Sequence, residues 1–221
     1  MKRLRPVELG PFDYENPPQT SSLWISEGLT TYFGDLMVIR AGLGTAQDFL
    51  SRLSTNIAQL QTSPGRLAQT LEQSSLDVWN SGTSGVGRDT ATKVSYYVKG
   101  PVVGFLLDAK IQRSTEGKKN LGDVMRLAYT RYSKARGFTS EQFRKTAEEV
   151  AGADLKEWFR KALASTEELD YSEALDWFGL RFAKSDGQAA ANAWKLEISD
   201  DATEAQKSHL QRLITPAGAA R

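Results

Sequence analysis

Residues 21–40 read SSLWISEGLTTYFGDLMVIR. Leu23, Trp24, Ile25, Leu29, Phe33, Leu36, Met37, Val38 and Ile39 recur at helical rather than strand spacing. Ser21 or Ser22 can cap the helix and Gly42 can end it. Apolar side chains lie nearly all round it, so the spacing predicts a buried helix. Its one acid in the first half is Glu27, whose same-face neighbours Thr30, Thr31 and Gly34 are small and cannot neutralise it. A carboxylate held in a dry interior costs several kcal/mol unless it is paired or bound to a metal. Three readings stand side by side: an exposed helix edge, an ion pair with Arg40 or Arg3, or a ligand. Spacing does not choose among them.

Outward from this helix, Thr45 with Asp48 opens a second helix to about residue 61, which Ser63, Pro64 and Gly65 stop. A shorter helix is expected over 66–78, followed by a Gly/Ser-rich loop over 80–90. Further helices are expected within 94–113 and from Asn120 or a neighbour. Two more follow Thr139 and Asp154, each with a polar partner three residues on, and Gly152 ends the first of these. The tail changes character: 177–183 and 194–199 read as two short strands, and Thr203 with Gln206 caps a last helix. The expected fold is mainly α with a short hairpin near the C-terminus. Its expected parts are an extended, Pro-rich segment over 1–20, a helical body over 21–176 and a tail over 177–221.

Composition narrows the chemistry. The 221 residues carry a net charge of +1, so no basic stripe argues for nucleic acid. No apolar run reaches the ~18 residues of a membrane span. Without cysteine there are neither disulfides nor thiolate metal sites, and His209 is the only histidine. A cysteine-free zinc site generally needs at least two imidazoles. His209 sits on an expected surface helix far in sequence from Glu27 and is not read as a ligand. The compartment, cytoplasmic or periplasmic, is not readable.

Local sequence bears on Glu27 more directly. Leu23-Trp24-Ile25-Ser26-Glu27-Gly28 resembles the W-x-x-E-G segment that follows the active-site histidines of gluzincin metallopeptidases. Lys2-Arg3-Leu4-Arg5-Pro6 and Leu9-Gly10-Pro11-Phe12-Asp13-Tyr14 narrow the resemblance to the M61, glycyl aminopeptidase, family. The resemblance covers roughly 2–182 and implies a thermolysin-like C-terminal helical subdomain. It also implies that Glu27 is the glutamate ligand of a catalytic zinc. The family's H-E-x-x-H segment, with two histidine ligands and the general base, is expected a few residues before Met1. This chain alone is therefore expected to be inactive and free of catalytic zinc. The PDZ domain that many members carry is not expected here.

A second motif, Ser95-Tyr96-Tyr97-Val98-Lys99-Gly100, resembles the family's S-Y-Y-x-K-G segment. From the residues alone, a tyrosine pair at a helix start can simply pack on the core. The resemblance implies that Tyr97 donates a hydrogen bond to the oxyanion formed during peptide hydrolysis, with Tyr96 as packing neighbour, although the reverse assignment stays open. Lys99 is expected at solvent or a helix end. Pro101 implies either a helix that starts there or a kink. Residues 166–169 read as a turn with exposed acids, while the resemblance offers a loop near the substrate amine as the alternative. The implied substrate is a peptide with a free amino terminus. The rival reading is a non-catalytic helical interaction module that keeps the fold. Apolar surface left open beside the Glu27 helix is expected to favour self-association.

Overall fold

The computed structural model of the chain describes residues 3–11, 13–79, 91–183 and 192–215. The loop expected over 80–90 and the residues linking the two strands, 184–191, lie outside that set. Among the described residues the architecture is mainly helical, with one two-stranded antiparallel sheet.

The central element is α4 (Tyr96–Ser114). Val102, Val103, Phe105, Leu107, Ala109 and Ile111 are fully buried along it, so it is surrounded rather than laid on a surface. The segment carrying Glu27 crosses it, formed by a π turn (Trp24–Leu29) that runs directly into α1 (Thr30–Arg40). Helices α2 (Ala46–Thr62), α3 (Leu71–Leu76), α5 (Leu121–Tyr132), α6 (Ser140–Ala151) and α8 (Ser172–Phe178) also pack on α4. Helix α7 (Lys156–Ala164) packs on α3, and α9 (Glu204–Ile214) packs on α8 and α1.

Capping chemistry sets most helix starts. Thr45 with Asp48, Thr70 with Gln73, Asn120 with Asp123, Thr139 with Gln142 and Thr203 with Gln206 each form a reciprocal capping box. Gly152, at φ 63°, ends α6 in the left-handed conformation that glycine adopts without steric cost. The tail hairpin forms as expected: β1 (Leu180–Phe182) pairs with β2 (Leu196–Ile198), with Leu180 opposite Ile198.

Three local expectations are corrected, and the alternative left open at Pro101 is decided. The helix over 21–40 does not begin as an α-helix with a serine side-chain cap; it begins as the π turn. Thr30 and Thr31 contribute there, because their hydroxyls bond the carbonyls of Ser26 and Glu27 at 2.8 Å. Pro101 does not start α4: the helix begins at Tyr96, and Ser95 accepts the Tyr97 N–H at 3.2 Å. Pro101 lies inside the helix and gives no N–H to the Tyr97 carbonyl. Asp154 does not pair with Glu157; it accepts the Lys156 N–H at 2.7 Å, one residue earlier. Trp177 and Phe178 belong to α8 rather than to a strand, and Gly179 at φ 63° turns the chain from helix to strand.

Candidate functional site

The π turn and the first turn of α4 meet backbone to backbone. A Cβ built on Gly28 would lie 2.7 Å from the Gly100 Cα and 2.9 Å from the Tyr96 carbonyl oxygen. Only glycine at both positions permits this approach. Trp24, from the same π turn, is buried against the edges of Phe143 and Phe159, with ring centroids 5.9 and 6.2 Å away.

Beside this crossing the Tyr97 hydroxyl donates to Glu27 Oε2 at 2.8 Å. Both side chains are half-buried. The two positions that the sequence motifs single out therefore touch, although 70 residues separate them. Neither expected arginine reaches Glu27: Arg40 donates to the Leu213 carbonyl at 2.7 Å and Arg3 is exposed. Among the described residues Glu27 forms no ion pair. Burial, followed by the bond to Glu27, holds the Tyr97 phenol above its usual range, so it remains a proton donor. Tyr96 is buried, and its ring lies 4.8 Å from that of Tyr97. Burial, then the Glu27 charge, raises the Tyr96 phenol as well.

Lys99 is not at solvent. It is 2% exposed, and burial lowers its ammonium to about 8, with the charge of Glu168 acting the other way. Glu168 is exposed and pairs with Arg66 at 3.0 Å, and Glu167 pairs with Arg160 at 2.9 Å. The acids of 166–169 thus already have partners. A cleft of about 280 Å3 lined by Trp24, Ile25, Glu72, Phe159 and Leu163, among others, includes neither Glu27 nor Tyr97.

Sequence reasoning missed a buried polar network behind the pair. Asp108 on α4 accepts the Tyr32 hydroxyl at 2.8 Å, the Gln112 amide at 3.1 Å and the Leu121 N–H at 2.9 Å. Burial raises its carboxyl despite these bonds. The signal was present: Asp108 interrupts the apolar run of α4, as Glu27 interrupts its own helix. This network fastens α1 to α4 through Tyr32, five residues after Glu27. His209 is half-buried rather than on an open surface; its ring stacks on Trp177 at 3.7 Å and its Nδ1 lies 2.9 Å from the Trp177 carbonyl oxygen.

Comparison with known proteins bears on the fold. The crystal structure of an aminopeptidase N family protein from Idiomarina loihiensis superposes with a TM-score of 0.75 at 25% identity. The match covers 80% of this chain and 30% of that one, so the chain spans under a third of that relative's length. No curated protein gives a significant match. The fold is therefore that of a helical portion of a larger aminopeptidase-type architecture. Residues 1–103 match the sequence profile of the M61 glycyl aminopeptidase family.

The donors of this chain do not fit the zinc that the family implies. A catalytic zinc takes three protein ligands and keeps one position open. Among the described residues no group of three or more His, Cys, Asp or Glu side chains could hold a metal. Glu27 brings one carboxylate, already capped on Oε2 by Tyr97, and His209 is committed to Trp177.

Proposed function

We propose that this chain is the helical C-terminal part of an M61-type zinc aminopeptidase catalytic domain, with Glu27 as its metal-binding carboxylate and Tyr97 as its oxyanion donor. The observation that carries this reading is the 2.8 Å bond between the two residues that the family motifs mark. A phenol whose proton is retained, fixed beside the metal-binding position, suits stabilisation of charge that develops only in the transition state. The other ligands and the general base would come from polypeptide outside this chain, so the chain alone is inactive. The substrate is a peptide with a free amino terminus, and the family likeness favours small terminal residues such as glycine. Neither nucleic acid nor membrane is a partner in this reading. The exposed face of α1 gives the chain a route to self-association.

The experiment compares this chain with a longer polypeptide that adds an H-E-x-x-H segment. Zinc content and hydrolysis of a glycyl anilide are measured for both, each with and without Glu27→Gln. Zinc and activity in the longer form, both reduced by Glu27→Gln, are expected. A longer form that keeps full zinc with Glu27→Gln would remove Glu27 from the site. Stoichiometric zinc held by Glu27 in the short chain would overturn its assignment as metal-free. Catalytic silence of every form would favour the rival, a helical interaction module that retains the fold.

A further inference from the structure

We infer that the Gly28–Gly100 contact seats the Tyr97 hydroxyl on Glu27, which makes Gly100 a positioning residue of the pair. This rests on the reading of Glu27 and Tyr97 as the functional pair. Gly28 directly follows Glu27, and Gly100 lies three residues beyond Tyr97, so the contact is the nearest fixed point to both side chains. The obstruction a side chain would meet is backbone on both sides. A Cβ on Gly28 meets the Gly100 Cα at 2.7 Å, and a Cβ on Gly100 meets the Gly28 Cα at 2.7 Å. Backbone cannot rotate out of the way as a side chain can, so the segments must part by roughly 1 Å to reach an ordinary carbon–carbon contact. A 2.8 Å hydrogen bond beside the contact does not survive such a shift. Tyr97 has little freedom to follow, because its ring lies against the buried Tyr96 at 4.8 Å.

Gly104, one turn along α4, behaves differently. A Cβ there would meet Leu29 Cδ2 at 2.9 Å and Tyr32 Cγ at 3.2 Å, which are side-chain atoms. The Tyr32–Asp108 bond is a second tie between the same two segments, but it lies further from the pair. These two features serve as internal controls. If overall packing positioned Tyr97, all three sites would matter alike.

The test is a double-mutant cycle on stability, with Glu27→Ala and Tyr97→Phe as its arms and urea unfolding of the full chain as its readout. Osmolyte is added to keep weakened variants folded. In the otherwise unchanged chain the coupling is expected to be about fivefold in the unfolding equilibrium constant, as for a modest charged hydrogen bond. In a Gly100→Ala background it is expected to fall to about twofold or less. It should persist with Gly104→Ala and with Tyr32→Phe. Coupling that survives Gly100→Ala overturns the inference, as does coupling lost equally with Gly104→Ala or Tyr32→Phe. If Gly100→Ala does not fold, the other two backgrounds still decide: loss in either sinks the inference, and persistence in both leaves the glycine contact as the remaining tie. Absence of coupling in the unchanged chain also overturns it, because no seated pair would exist. The aminopeptidase reading falls on separate data, the zinc content and hydrolysis of Glu27→Gln in the longer polypeptide.

Discussion

The hydroxyl of Tyr97 donates to Glu27 Oε2 at 2.8 Å, joining the first turn of α4 to the π turn across 70 residues of sequence. Tyr97→Phe removes one charge-assisted hydrogen bond from a half-exposed location. The expected loss of stability is about 1 kcal/mol, below the ~1.5–3 of a buried charged bond because solvent screens it. The sign of the pH effect follows from the raised phenol. The folded chain keeps a proton that the unfolded chain releases near pH 10.0, so this contribution is full below that pH and declines above it. Urea midpoints of both proteins across the alkaline range check this, and Tyr97→Phe should flatten the decline. In a longer, active polypeptide the same substitution should lower kcat about 100-fold or more, with a smaller change in KM.

Lys99 gives a prediction of opposite sign. Its ammonium ionises near 10.5 when exposed and at about 8 in the fold. Below pH 8 the folded chain carries a charged group it has desolvated, and as pH rises from 8 to 10.5 that handicap disappears. Lys99→Met keeps the volume and removes the charge. It should stabilise the chain at about pH 7 by on the order of 2–3 kcal/mol, and its stability should change less than that of the parent on going to about pH 10. Denaturant melts at the two pH values decide it. A Lys99→Met chain that is less stable at neutral pH would show that the ammonium has a favourable partner.

The Asp108 network separates charge from hydrogen bonding. Asp108→Ala leaves the Tyr32 hydroxyl, the Gln112 amide and the Leu121 N–H without their acceptor. The cost should be about 3 kcal/mol or more. Asp108→Asn keeps one accepting oxygen and removes a buried charge, so its cost should stay below about 1.5 kcal/mol at neutral pH. Because burial raises the Asp108 carboxyl, its contribution to stability is greatest below its unfolded value of 3.8 and falls as pH rises through its folded value. Asp108→Asn should therefore gain relative to the parent between mildly acidic and neutral pH. Calorimetric Tm values across that range are the measurement.

The open side of α1 carries exposed Thr30, Gly34 and Met37, and nothing lies within 4 Å of a Cβ built on Gly34. Met37 is 51% exposed and Leu43, just beyond the helix, is 78% exposed. Light scattering should show concentration-dependent association of the chain, weakened about tenfold by Met37→Glu through charge repulsion between apposed copies. A clean monomer at all concentrations would remove self-association from the account.

Much of the helical framework was legible before the structure. The capping pairs at Thr45, Thr139 and Thr203 announced their helices, because a hydroxyl and its partner three residues on satisfy orphan N–H groups locally. The two strands were legible as short apolar stretches, although the first starts only at Leu180, after α8. The π turn was not, since it depends on where Gly28 must sit against another segment. The burial of Lys99 was equally hidden: lysine is seldom buried, and its position on α4 differs from that of an exposed lysine only through what packs around it.

The sequence by itself determined the helical class, most of the helix starts and the two motifs that hold Glu27 and Tyr97. Those signals are carried by residues within one or two helical turns of each other. Only the tertiary structure decided that Glu27 meets Tyr97 rather than Arg40 or Arg3, that Pro101 lies inside α4, and that Asp108 ties α1 to α4. Such pairings depend on the crossing of two distant segments, and that crossing is set where Gly28 and Gly100 let their backbones touch.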